Sequence, residues 1–286
     1  MIVNKSFFVL SLFFAATSCT VFAEEKAPED CKASDRAINT ANYIVLMKTA
    51  PLAGNVRSVQ ITGNSADDTH FTNTLTFSRC GQLLKRLFVA EIRMSDERLA
   101  VTTSDLHYQD KGWVQEMKND FREKGQVMGE VRNTRYFYTD KQGHISGSSA
   151  DVKEGQNWRI QTKWTYHYDE QHRLTQEKAE SVRNKDRPQN FTEVFRYDAR
   201  GRLIQISSGQ RNQSFSWDDK DRLVSVADMN KAKDVERDKK TICYEWDSAG
   251  NCTAATIDET FRMVGSDQSM HKLHYALRSS YQYWDN

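Results

Sequence analysis

The sequence predicts an all-β fold. It is an antiparallel meander of repeated β-hairpins forming a twisted sheet, a sandwich or an open barrel, with at most short helices. Three observations predict it. A strand–turn–strand unit recurs along the chain. The C-terminal stretch alternates in polarity at period two, with Tyr281 and Tyr283 on one face and Ser280 and Gln282 on the other. Apolar residues make up 38% of the 286 residues, a low share that suits sheets with one packed and one wet face.

The recurring unit is clearest at Phe195 to Ile206, FRYDARGRLIQI. Asp198 opens the turn, because its short carboxylate bonds the backbone two residues on. Gly201 stands where a type I turn followed by a left-handed residue needs positive φ. In that three-residue loop Asp198 opposes Arg202, and Tyr197 opposes Leu203 as an aromatic–aliphatic pair. The same spelling returns from Tyr168 to Leu174, Trp217 to Leu223 and Trp246 to Cys252. Shorter echoes run from Phe77 to Leu83, Phe121 to Val127 and Tyr138 to Ile145. Where glycine is missing, His172 or Asp221 takes its place, and both types tolerate positive φ better than most. From Tyr136 to Thr256 this spelling resembles the YD repeats of Rhs-type proteins. The resemblance implies ribbons of paired strands. The spacing here is irregular, 20 residues from 197 to 217 and 29 from 168 to 197, and the copies are too few for an Rhs-type shell.

The chain opens on an export signal, residues 1–23. Lys5 is the positive head, Phe7 to Ala16 the apolar run, and Val21-Phe22-Ala23 a site for ordinary cleavage. Ala16-Thr17-Ser18-Cys19 competes as a lipobox, which would end the signal at 18 and make Cys19 the lipidation site. Residues 24–32 read as a polar tether, and residues 33–286 as a single β-rich domain. Ser34-Asp35 could cap a short helix through Ala41, while Asn42 to Met47 reads equally as a buried strand. Strands follow from Val56 to Thr62, Thr72 to Phe77, Leu83 to Arg93, Leu99 to Tyr108, Trp113 to Phe121 and Gln126 to Tyr138. Ser146–Gln156, Val182–Asn190 (broken by Pro188) and the charge-rich Asp228–Lys240 read as loops, the last with room for a helical turn. Met263–Tyr275 reads as a hairpin around Gly265.

Both cleavage routes leave Cys31, Cys80, Cys243 and Cys252 for pairing in an oxidising compartment. The local pair Cys243–Cys252 would clamp the last hairpin. Because Trp246 opposes Cys252, it needs a bulge to bring the sulfurs together. Cys31–Cys80 then remains. Free thiols stay open as the alternative.

Charged residues are balanced, 40 Lys and Arg against 39 Asp and Glu. This argues against nucleic acid or an anionic membrane surface as partner. The mature part has no apolar run long enough to span a bilayer as a helix. His271 and His274 would point to opposite faces of a strand and cannot chelate together. The turn aspartates Asp169, Asp198, Asp218 and Asp247 offer too few oxygens for calcium. The tryptophans read as cross-strand packers, with a glycan- or protein-stacking surface as the functional alternative. No nucleotide, hydrolase-elbow or zinc-protease motif occurs. No catalytic, cofactor-binding or metal-binding residue is therefore assigned.

Four features together resemble the YnfC-like family of uncharacterised enterobacterial lipoproteins. They are Ala16-Thr17-Ser18-Cys19, Pro51 to Val56 leading into Thr74 to Cys80, Cys243 to Asp247 followed by Cys252, and the terminal Tyr281-Gln282-Tyr283. The resemblance implies an envelope protein, periplasmic or lipid-anchored through Cys19, and brings no site residues. The expected role is a non-enzymatic binding or structural module without a cofactor. Its expected partner is an envelope protein or glycan, and its only membrane contact the lipid anchor. The alternatives are an immunity or accessory protein for a toxin-like partner, or an envelope glycan or peptide hydrolase.

Overall fold

The structure is a computed structural model. It describes residues 31–285, apart from 66–68, 96, 155–157, 184–186, 232–234 and 264–269. Cys19, the signal, most of the tether and the turn around Gly265 lie outside the described residues. One helix, α1 (Ala33–Met47), precedes the strands. The first eight are β1 (Val56–Ser65), β2 (His70–Phe77), β3 (Leu83–Ser95), β4 (Arg98–Gln109), β5 (Gly112–Glu123), β6 (Gln126–Thr139), β7 (Ile145–Glu154) and β8 (Trp158–Tyr168). The rest are β9 (Leu174–Arg183), β10 (Arg187–Tyr197), β11 (Leu203–Ser207), β12 (Arg211–Trp217), β13 (Leu223–Lys231), β14 (Val235–Trp246), β15 (Cys252–Met263) and β16 (Met270–Tyr283).

Each strand pairs antiparallel with the next, and β1 pairs with β16, from Val56 opposite Tyr283 to Ser65 opposite Tyr275. The meander of hairpins expected from sequence is present, but it closes into a barrel rather than staying an open sheet, a sandwich or an open barrel. Closure removes both edges that an open meander of this length would expose.

Six of the seven recurring turns fall on one rim; the turn between Phe121 and Val127, which joins β5 to β6, lies on the opposite one. Asp198 N–H donates to Arg202 O at 3.0 Å, and Gly201 N–H to Asp198 O at 3.0 Å. The Asp198 side chain accepts from Arg200 N–H and Arg202 N–H, each at 2.9 Å. Gly201 has φ 78°, and its substitutes His172 and Asp221 sit at 63° and 59°. Tyr197 opposes Leu203 after a one-residue register shift. A Cβ on Gly201 would meet nothing closer than Arg173 Nη1 at 3.9 Å, so only backbone strain resists substitution there. Gly201→Val is expected to lower stability by about 1–2 kcal/mol, and Gly201→Asn clearly less. Equal losses in urea unfolding would refute this assignment.

Helix α1 stands inside that rim. Ala41, Asn42, Tyr43, Ile44 and Val45 are buried in succession, which a surface helix cannot achieve and an enclosed one must. This resolves the ambiguous Asn42–Met47 as helix: its apolar residues need no sheet partner because the barrel surrounds them. Asn42 Nδ2 donates to Gly143 O at 2.9 Å, and its Oδ1 accepts from Ile145 N–H at 2.8 Å. Asn39 Nδ2 donates to Cys80 O at 3.0 Å. The expected Ser34-Asp35 cap is not used; Lys32 is the N-cap, without a side-chain cap bond. Lys48 ends the helix in the left-handed region, φ 52°, its N–H bonded to Ile44 O. Around the helix Leu75, Phe77, Leu83, Trp113, Phe137, Ile145, Leu174, Phe195, Leu203 and Phe215 complete the core.

Both disulfides form. Cys31–Cys80 ties the start of α1 to the β2–β3 turn. Cys243–Cys252 clamps the β14–β15 hairpin, and register shifts at Glu245 supply the bulge that the pairing needs.

Three expected loops are corrected. Residues 146–154 belong to β7, which pairs with β6 and β8. Residues 182–183 and 187–190 belong to β9 and β10, with Pro188 inside a paired stretch. Residues 228–231 and 235–240 are the facing ends of β13 and β14. In β13 and β14 the polarity reads as loop because inward Asp228, Arg237 and Lys239 are as charged as their outward neighbours. Met270–Tyr275 is strand, as expected.

Candidate functional site

Side chains fill an eight-stranded barrel, whereas sixteen strands leave a lumen. Helix α1, about 22 Å long, fills only the turn-bearing end. The candidate site is the lumen beyond it.

Its floor is a charged layer under the helix. Lys48 Nζ donates to Glu177 and lies 3.2 Å from Glu193. Arg135 lies 3.8 Å from Glu177 and donates to Tyr166 Oη at 2.7 Å and to Ser148 Oγ at 3.0 Å. Arg211 lies 3.8 Å from Glu193 and pairs with Asp228 at 2.9 Å. Glu177 and Glu193 are buried, and buried carboxylates of this kind require such partners. Burial lowers the Lys48 amine to about 8 against the pull of Glu193, with Arg135 and Arg211 adding to the lowering. Burial also lowers Arg135 and raises Tyr166.

Beyond the floor the wall divides. Charged and polar side chains line the side of β12 to β15: Gln213, Asp228, Lys239 and Arg237, the last paired with Glu259. The other side mixes polar pairs, Arg86 with Asn73 and Thr102 with Asn119, with an aromatic patch on β2, β3 and β16. Phe71 meets Phe88 at 5.9 Å and Tyr275 at 6.4 Å between ring centroids. A Cβ on Gly63 would overlap the Phe71 ring; the glycine lets that ring lie against the wall. At the far mouth Ile92, Phe121 and Phe191 are exposed, although the register of each strand turns them inward. No element crosses that mouth among the described residues.

The outward face is polar. In β16 the outward positions Lys272, His274, Ala276, Arg278, Ser280 and Gln282 are all exposed, five of the six polar, and they alternate with inward Leu273, Tyr275 and Leu277. At mid-height the outer wall carries Glu116, Arg132, Lys163, Lys178, Glu180, Lys240 and Asp258. No helix among the described residues is long and apolar enough to cross a membrane. For strands the test is the outer wall, where each Lys or Arg at a bilayer midplane would cost roughly 2–4 kcal/mol. Among the described residues this wall has no continuous apolar band.

The residues singled out in the sequence are mostly architectural. The turn aspartates accept backbone bonds. For Asp198 burial opposes the charge, but backbone and side-chain bonds from Arg202 hold the carboxyl below its usual value. Trp113, Trp217 and Trp246 donate Nε1–H to the carbonyls of Leu83, Leu203 and Leu223, so they pack across strands rather than form a stacking surface. His274 bonds Asp258 on the outer wall. His172 and His144, 3.1 Å apart between ring nitrogens, form a pair across neighbouring turns. No group of three metal-ligating residues occurs among the described residues. The charged floor was missed: Lys48, Arg135, Glu177 and Glu193 are dispersed in sequence and carry no motif. The available signal was Glu177 and Glu193, at positions the strand alternation turns inward.

These features define a class: a closed β-barrel with a polar outer wall, plugged at one end by its own N-terminal helix. No family model matches the chain, and no curated protein matches it. Among solved structures, a porin-like protein from Bacteroides uniformis ATCC 8492 is similar, with 9% identity and a TM-score of 0.49. The match covers 81% of this chain and 99% of the other. At those values the likeness adds nothing about activity.

Proposed function

We propose that the protein is a binding module of the cell envelope that holds its ligand in the barrel lumen, entered from the mouth opposite the helix. One observation carries this reading: apolar side chains turned inward stay exposed at the mouth of a barrel whose outer wall is charged. A charged wall faces water, so the exposed apolar surface serves the inside. The envelope location rests on the N-terminal signal pattern, the disulfides and the YnfC-like resemblance. Periplasmic release or anchoring through Cys19 both suit this reading, since the wall itself needs no lipid.

The reading is tested by labelling single cysteines in the full exported protein, without detergent, using a charged water-soluble thiol reagent. Thr102 faces the lumen and Ser280 faces outward. Ser280→Cys is expected to label rapidly and Thr102→Cys more slowly but completely, each against the parent protein as blank. A protected Ser280→Cys would mean a lipid-facing wall. An inert Thr102→Cys would mean a closed lumen. Either result overturns the reading.

A further inference from the structure

The two halves of the lumen wall meet at a position that specifies a ligand. Lys239 faces inward between Asp228 on β13 and Glu259 on β15. Glu259 is taken by Arg237, and Asp228 by Arg211. Among the described residues Lys239 has no hydrogen bond or ion pair, although it lies within electrostatic reach of both carboxylates. Counted with the floor that Arg211 joins through Glu193, the sum is five cations against four anions: Lys48, Arg135, Arg211, Arg237 and Lys239 against Glu177, Glu193, Asp228 and Glu259. One cation is left over, in a half-buried position where an uncompensated charge is costly.

One strand further on, the wall becomes apolar. Glu259 opposes Leu273, and Ile257 opposes Tyr275. The Tyr275 ring leads edge-on to Phe71, and Phe71 to Phe88. Lys239 therefore stands across Glu259 from an aromatic and aliphatic patch that ends at Phe88 under Arg86, inside a lumen whose mouth is also apolar.

We propose that the lumen binds a single-chain amphiphile with an anionic head. Its head meets Lys239 with Arg237 alongside, and its chain lies along Leu273, Tyr275, Phe71 and Phe88. This rests on the lumenal reading above and names the ligand class. The spare cation requires an anion, and the aromatic patch requires a chain rather than a second polar group. A glycan would leave the patch unwetted, and a neutral hydrocarbon would leave Lys239 unpaired. Burial, followed by the neighbouring Arg237, lowers the Lys239 amine, and a bound anion would reverse that.

The test is displacement of a fluorescent long-chain fatty acid from the full exported protein. Oleate and lysophosphatidylglycerol serve as competitors and oleyl alcohol as the uncharged control. Both anionic competitors are expected to displace the probe. The stronger one identifies the head as carboxylate or phosphate. Lys239→Met is expected to weaken anionic competitors roughly tenfold, the scale of one charge-assisted contact, and to leave oleyl alcohol unchanged. Ala100→Trp, which narrows the mouth, is expected to abolish probe uptake, while Ser280→Trp on the outer wall leaves it intact. The proposal is overturned if the probe does not bind, if Lys239→Met affects charged and uncharged competitors alike, or if Ala100→Trp binds normally. If the probe fails while Thr102→Cys still labels, the amphiphile is wrong and the open lumen stands.

Discussion

Replacing Cys31 and Cys80 together by serine is expected to destabilise the protein by about 4 kcal/mol. The disulfide spans 49 residues, and closing a loop of that length removes about that much conformational freedom from the unfolded chain. A native-state effect adds to it. Cys31 immediately precedes α1, so the bond fixes the start of the helix to the rim that surrounds it. Without the bond the helix is held by its side chains and by Lys48. The Cys243→Ser, Cys252→Ser pair is the control. That loop spans 9 residues and is expected to cost roughly 2.7 kcal/mol by the same relation. Urea unfolding of both pairs decides the matter. An equal or inverted order would mean that loop entropy is not what these bonds contribute.

Lys48→Met is expected to cost about 3 kcal/mol or more, the scale of removing one partner from a buried ion pair. The methionine preserves the bulk but leaves Glu177 and Glu193 facing each other's layer, with only Arg135 and Arg211 at 3.8 Å in compensation. Adding Glu193→Gln is expected to recover part of the loss, because one uncompensated carboxylate is then gone. The pH dependence has a definite sign. The folded amine loses its proton near pH 8 and an ordinary lysine near 10.5. Between those values the unfolded chain binds more protons, so this group makes stability rise with pH. The gap between wild type and Lys48→Met is therefore expected to widen from pH 8 to pH 10.5. A gap that narrows there would mean that Lys48 keeps an ordinary or raised pKa in the fold.

The turns were readable in the sequence because they are local. Asp198, Gly201 and the Tyr197–Leu203 pair lie within seven residues, and each follows from short-range backbone chemistry. His172 and Asp221 replacing glycine were readable for the same reason. The Cys243–Cys252 bulge could be deduced from register alone. Barrel closure was not readable, since the polar residues of β1 and β16 say nothing about which strand lies beside them. The stretch of β13 and β14 read as a loop has a plain cause. Asp228, Lys239 and Lys240 look unlike strand residues when only one wet face is assumed, and a polar lumen supplies a second. Asn42–Met47 could not be settled because Asn42 to Val45 are buried in succession, which erases the periodicity that separates helix from strand. The charged floor was unreadable because Lys48, Arg135, Glu177, Glu193 and Arg211 come from five separate elements.

The pairing of β1 with β16 has a consequence for how the molecule is made. Every other strand contact joins sequence neighbours, so each ribbon can form as soon as its own turn has closed. The seam between Val56–Ser65 and Tyr275–Tyr283 joins segments more than two hundred residues apart, and contacts of that separation form slowly. The chain thus carries fifteen quick local steps and one slow one. Until the last strand arrives, the first has an open edge with the helix beside it, so the final hairpin decides when the molecule becomes a ring.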